Sequence, residues 1–145
     1  MDEKTKQALS LWDKLFQTYE SIRKVQARTV FEHNLTAPQY NVLEVLYIFG
    51  PMPLKKISQK LFVSGANITC IVDNLEKESL VERVPSSGDR RIIQAELTEK
   101  GRAKMKSLFP LNAKNLMQIT SVLNNQEQEE LTKLLDKLDT NKTAA

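Results

Sequence analysis

Residues 54–97 read LKKISQKLFVSGANITCIVDNLEKESLVERVPSSGDRRIIQAEL, and this stretch decides the fold. Leu54, Ile57 and Leu61 predict a short helix over about 53–61. Phe62, Val63 and Ser64 make a tight turn. Ile68, Ile71, Val72 and Leu75 then follow the i, i+3, i+4, i+7 spacing of a helix that buries one face, over about 65–78. Two short helices joined so closely form a helix-turn-helix. Leu80 to Val84 and Ile92 to Leu97 are apolar-rich runs around a polar tip, Ser86-Ser87-Gly88-Asp89-Arg90-Arg91. Ile93, Ala95 and Leu97 alternate with Gln94 and Glu96, which is strand periodicity. The segment of about 80–97 therefore predicts a β-hairpin wing. A helix that can enter a DNA major groove stands beside a basic hairpin that can reach the next groove.

The face opposite the buried one on the 65–78 helix includes Ala66, Asn67, Thr69, Cys70 and Asn74. A helix must approach base edges closely, so small side chains suit its leading face. An asparagine amide can pair twice with adenine, and a threonine methyl can meet a thymine methyl. Ser64 and the first free amides can hold a phosphate. By itself such a face reads as an ordinary solvated one; the hairpin beside it tips the balance. At the tip, Gly88 permits a tight turn, Ser86 and Ser87 keep it polar, and strand alternation would send Arg90 and Arg91 to opposite sides. Asp89 repels phosphate, so its expected role is to pin an arginine through paired hydrogen bonds. An arginine in a narrow minor groove reads shape more than base identity.

Working outward, Ala8, Leu11, Leu15, Thr18, Ile22, Val25 and Thr29 recur at steps of three and four and predict a helix over 5–32 with a heptad-like seam. Trp12, Phe16 and Tyr19 widen that seam, and a second chain is the natural cover for so broad an apolar face. Those three aromatics could line an effector pocket near such an interface; packing in the protein's interior is the simpler reading. Thr36 and Gln39 form a capping box, with Leu35 and Tyr40 as a hydrophobic staple and Pro38 in the first turn. Val42, Leu43, Leu46 and Tyr47 give that helix a core face, and Gly50-Pro51-Met52-Pro53 ends it. Thr98 is placed to cap a helix over about 99–123, which Pro110 should kink. Asn124 with Glu127 marks a fresh start; Leu131, Leu134, Leu135 and Leu138 follow, and Thr140 to Ala145 reads as a frayed tail.

The chain of 145 residues is 41% apolar and 27% charged, the composition of an ordinary globular protein rather than a disordered one. Its net charge of +3 permits nucleic-acid binding without demanding it, so the placement of charge matters more than the total. A single cysteine, Cys70, excludes an internal disulfide and a cysteine-based zinc cluster, and fits a reducing cytoplasm. No apolar run approaches the roughly 20 residues that span a bilayer, and the polar N-terminus lacks a signal-peptide core. His33 is the one histidine, so a regulatory metal site has no partners to build on; no Ser/His/Asp set stands in a recognisable context, and there is neither a histidine pair nor a glycine-rich phosphate loop. Neither a catalytic activity nor a cofactor is expected.

Asp89-Arg90-Arg91, then Leu97-Thr98 and Gly101, resembles the Asp-x-Arg…Leu-Thr-x-x-Gly signature of the MarR family of winged-helix regulators. The run from Asn67 to Glu76 is similar to the family's recognition helix, and the likeness extends over nearly the whole chain. The resemblance implies a homodimer built from the N- and C-terminal helices, with a winged helix-turn-helix in each subunit and a palindromic operator. It implies that Arg91 enters the minor groove with Asp89 as its anchor, and that Ser64, Asn67, Thr69 and Cys70 face the major groove. Two positions depart from the family's habit: Cys70 stands where arginine is common, and Ser79 where glycine is common. The run from Ser64 to Thr69 also looks like the quinone-responsive branch.

The expected fold is mainly α with a small β-hairpin wing. Residues 1–33 form an N-terminal dimerisation helix, 34–98 the winged helix-turn-helix, and 99–145 the C-terminal dimerisation helices. The expected function is sequence-specific binding of double-stranded DNA by a homodimeric repressor that a small lipophilic or phenolic effector releases. Two rivals stand beside it. One is a redox sensor working through Cys70, which lacks a His, Lys or Arg within a helical turn to stabilise a thiolate. The other is a helical adaptor with no operator, which would leave the Arg90-Arg91 wing without a purpose.

Overall fold

The computed structural model describes residues 1–140; the frayed end expected beyond Thr140 lies outside the described residues. Helix α1 (Glu3–Phe31) is followed by α2 (Ala37–Phe49), strand β1 (Met52–Pro53), α3 (Leu54–Leu61) and α4 (Gly65–Lys77). Strands β2 (Val81–Pro85) and β3 (Ile93–Leu97) precede α5 (Glu99–Thr120) and α6 (Asn125–Leu138). The fold is mainly α with a small antiparallel sheet of order β1-β3-β2. Pro53 passes directly from β1 into the cap of α3, so the segment expected only to stop a helix also supplies an edge strand. Met52 pairs with Ala95 across that edge and is buried.

Two compact units divide the chain, one from Met1 to Asn112 and one from Ala113 onward, so the division falls inside α5 just beyond Pro110. Helix α5 continues through that proline. In the first unit Tyr40, Leu43, Leu46, Ile57, Ile68, Val72 and Leu75 bring α2, α3 and α4 together in one core. Val81, Ala95 and Leu97 close it from the sheet, and Met105 and Leu108 from α5. The staple is present: Leu35 and Tyr40 are buried on either side of the Thr36–Gln39 capping box, whose bonds measure 2.9 and 3.3 Å. Tyr40 donates its hydroxyl to Glu44 at 2.8 Å, and burial followed by that bond pushes its pKa up.

Helix α1 is different. Asp2 caps it, accepting the Thr5 amide at 2.9 Å, but among its described residues only Val30 is buried. Trp12, Phe16 and Tyr19 are 67%, 54% and 64% exposed, so the simpler reading, interior packing, does not hold within one chain. In the second unit Asn124 and Glu127 form the expected capping box for α6, and Gln128 donates to the carbonyls of Thr120 and Leu123. That helix has no buried residue, and Leu131, Leu134, Leu135 and Leu138 all face solvent. Among the described residues no helix is long and apolar enough to cross a membrane.

Candidate nucleic-acid interface

Helix α3 ends where Phe62 takes a left-handed conformation (φ 54°), which turns the chain toward α4. Ser64 then caps α4 by accepting the Asn67 amide at 3.2 Å. Ile68, Ile71, Val72 and Leu75 are buried, while Ser64, Ala66, Asn67, Thr69, Cys70 and Asn74 are all exposed. The polar face derived from the helix wheel is thus the solvent face. Thr69 donates its hydroxyl to the Gly65 carbonyl at 2.9 Å, which leaves the methyl as the group free for contact. The Cys70 thiol is free and exposed.

The far end of α4 explains Ser79. Ser79 has φ 58°, and its amide bonds to the Glu76 carbonyl while that of Leu80 reaches the Leu75 carbonyl. This is a Schellman closure, normally built with glycine. The chain makes the turn that a glycine would make and accepts the strain of a side chain there.

Leu97-Thr98 and Gly101 acquire a physical meaning at this junction. The Thr98 hydroxyl donates to the Ser79 carbonyl at 2.6 Å and accepts the Gly101 amide at 3.0 Å. The Thr98 amide donates to the Leu80 carbonyl, and Lys100 Nζ to that of Glu78. A Cβ on Gly101 would lie 2.0 Å from the Leu80 oxygen. One threonine therefore joins the end of α4, the root of the wing and the start of α5, and only glycine lets α5 come that close.

The wing is an antiparallel ladder running from Val81 opposite Leu97 to Pro85 opposite Ile93. Its tip is closed by the Ser86 amide on the Ile92 carbonyl at 2.7 Å and the Ile92 amide on the Asp89 carbonyl at 3.0 Å. Arg90 and Arg91 lie in that turn and not in a strand, so strand alternation does not set their directions. Gly88 is not conformationally required: its φ lies outside the left-handed region, and a Cβ there would meet nothing. The tip holds its shape through Asp89. This carboxylate accepts the Arg91 amide at 3.0 Å, Nε at 3.0 Å and Nη2 at 2.9 Å. The Arg91 side chain is nonetheless 91% exposed. Its hydrogen bonds, side chain first and then amide, hold the Asp89 carboxyl below the usual carboxylate range. Ser87 and Arg90 are exposed beside it, and Ser86 is half-buried.

Sequence reasoning missed Arg83. From the middle of β2 its guanidinium donates through Nη1 to Glu76 and through Nη2 to Asp73 at 2.8 Å, both on α4. Asp73 and Glu76 are one helical turn apart, which in sequence looks like a plain solvated flank. Their common partner becomes visible only once the angle between helix and strand is known.

A helix-turn-helix with an exposed second helix, followed by a wing whose tip carries arginines, defines the winged helix-turn-helix class of DNA-binding proteins. Comparison with known proteins narrows this. The MarR family pattern matches residues 35–93. The HTH-type transcriptional regulator MhqR of Bacillus subtilis (strain 168) is 34% identical over 137 residues, which cover 94% of this chain and 94% of that protein. Among solved structures, a mutant MarR from E. coli complexed with operator DNA superposes with a TM-score of 0.81 at 21% identity, over 96% of this chain and 99% of that one. Bordetella bronchiseptica BpsR, whose structure describes regulation of its DNA binding by 6-hydroxynicotinic acid, gives a TM-score of 0.76 at 23% identity, over 88% and 91%. The chain belongs to the MarR family and is a DNA-binding transcriptional regulator.

Proposed function

We propose that this regulator is a homodimeric repressor that holds a palindromic operator until a small lipophilic or phenolic molecule binds. One observation carries the reading. The small, amide-bearing face of α4 is exposed, and the neighbouring wing presents an arginine that Asp89 already orients. Helix α4 enters the major groove, where Asn67 and Asn74 offer amides to base edges and Ala66, Cys70 and the Thr69 methyl offer close apolar contact. Ser64, the first amides of α4, Ser86, Ser87 and Arg90 hold phosphates, and Arg91 enters the flanking minor groove. The two subunits engage successive major grooves roughly 34 Å apart.

Residues 34–98 are the reading domain in this scheme, 1–33 and 99–145 the dimerisation helices. Support for pairing comes from the apolar side chains that α1 and α6 leave in water. Trp12, Phe16 and Tyr19 are the residues offered to an effector beside that interface. A hydroxylated aromatic effector suits the likeness of Ser64 to Thr69 to the quinone-responsive branch, and BpsR offers a parallel in 6-hydroxynicotinic acid. Such a ligand works only by favouring the form whose α4 spacing does not match the DNA pitch.

Selection of bound sites from random duplexes tests the reading. The expected winner is a palindrome whose affinity falls steeply with salt, because each neutralised phosphate releases counterions. Weak binding without sequence preference and with little salt dependence would overturn it. A release screen with phenols and quinones on the winning site then tests the effector.

A further inference from the structure

The wing reaches its tip as an exposed arm: Pro85, Ser87, Gly88, Arg90, Arg91, Ile92 and Ile93 all face solvent. Whatever fixes the direction of that arm sits nearer its root. Arg83 lies midway along β2, opposite Ala95, and reaches across to α4. Two carboxylates on successive turns of the helix share its fork, Glu76 on Nη1 and Asp73 on Nη2. A single bond would let the strand pivot. Two bonds from one planar group hold it both along the helix axis and in rotation. Asp73 is the sequence neighbour of Asn74 on the solvent side of the reading helix.

We infer that Arg83 is a positioning residue: resting on the proposed DNA-binding reading, it sets the spacing between the Arg91 tip and α4, so that wing and helix engage DNA as one rigid unit. Its chemistry fits that role better than a phosphate contact. The guanidinium is committed to two protein carboxylates and is only 27% exposed, against 91% for Arg91. It also offsets negative charge on the helix that must approach phosphates. Arg83, Asp73 and Glu76 together carry a net single negative charge, which doubles when Arg83 is lost.

A thermodynamic cycle on DNA affinity tests this, using a duplex selected from a random library by the wild-type protein. In the wild-type background Arg91→Ala is expected to weaken binding by about tenfold or more. In an Arg83→Gln background the same change should cost less than about threefold, because a tip that is no longer aimed contributes little. A merely structural residue would leave the Arg91 factor untouched, so an equal factor in both backgrounds overturns the inference. Where Arg83→Gln fails to fold, Asp73→Asn with Glu76→Gln unhooks the wing from the other side. That pair also separates aim from charge. If the carboxylates act only by repelling DNA, the double variant binds tighter and Arg91 keeps its full factor, which again overturns the inference. If the clamp aims the wing, the Arg91 factor falls. Undiminished affinity of Arg91→Ala in the wild-type background sinks the wing assignment itself and the clamp with it, whereas equal factors sink the clamp alone.

Discussion

Ser79 leaves α4 at φ 58°, in a region that an L side chain resists by about 1–2 kcal/mol. Ser79→Gly removes that strain but loosens the unfolded chain by roughly 0.4–1 kcal/mol. The expected net gain is between zero and about 1.6 kcal/mol, read as a higher urea midpoint with an unchanged slope. Gly101→Ala goes the other way. Its Cβ would meet the Leu80 oxygen at 2.0 Å, so α5 must move off the root of the wing, at a loss on the order of 3 kcal/mol in the same assay. The wing tip carries a pH signature. Arg91 holds the Asp89 carboxyl below its ordinary value of 3.8, so the pairing is complete at neutral pH and is lost only as pH falls through that lowered value. An NMR titration of the Arg91 Nε–H should stay flat from neutral pH to well below 5, and Asp89→Asn should free the arginine at every pH. The pinning of an arginine was legible in the sequence, because a carboxylate in a tip read as facing phosphate needs a reason to be there. The role given to Gly88 was not, since backbone bonds from Ser86 and Ile92 close the turn without calling on its freedom.

Elements announced themselves wherever a local device defines them. The Thr36–Gln39 box, the Ser64 and Thr98 caps and the Asn124–Glu127 box each place a helix start where the sequence put it. Thr36→Ala should lower stability by about 1 kcal/mol in thermal unfolding, since it orphans the Gln39 amide in a cap beside the core. Elements defined by distant partners were hidden. Strand β1 is two residues long and ends in proline, so nothing local distinguishes it from a helix stop; it exists because β3 has a free edge beside Met52. The Arg83 clamp was hidden for the same reason. Glu82 sits directly opposite Glu96 in the wing ladder, a like-charge pair that weakens the hairpin. Glu96→Lys should stabilise it by a few tenths of a kcal/mol, visible as slower amide exchange across β2 and β3.

At the scale of the whole molecule, one chain covers only part of its apolar surface. Leu11, Trp12, Phe16 and Tyr19 on α1 are each more than half exposed. On α6, Leu131, Leu134, Leu135 and Leu138 are similarly wet. Apolar side chains left in water on each helix are what the proposed dimer contact would cover. If the proposed homodimer pairs through α1, Trp12→Glu combined with Phe16→Glu should yield monomers by sedimentation while residues 34–98 keep their fold, and DNA affinity should collapse with the loss of the second half-site. The helix was legible in residues 5–32, but the sequence could not say whether the chain itself would cover its apolar seam; Leu15, Ile22 and Thr29 are half-buried while Leu11 and Val25 stay exposed, so a single copy covers it only in part. In the proposed homodimer, where a twin would dry the greasy flank of α1, folding becomes a bimolecular affair. The melting temperature should then climb with protein concentration, and a cell that lets the copy number fall would lose occupancy faster than in proportion, through dissociation into chains that are themselves less robust.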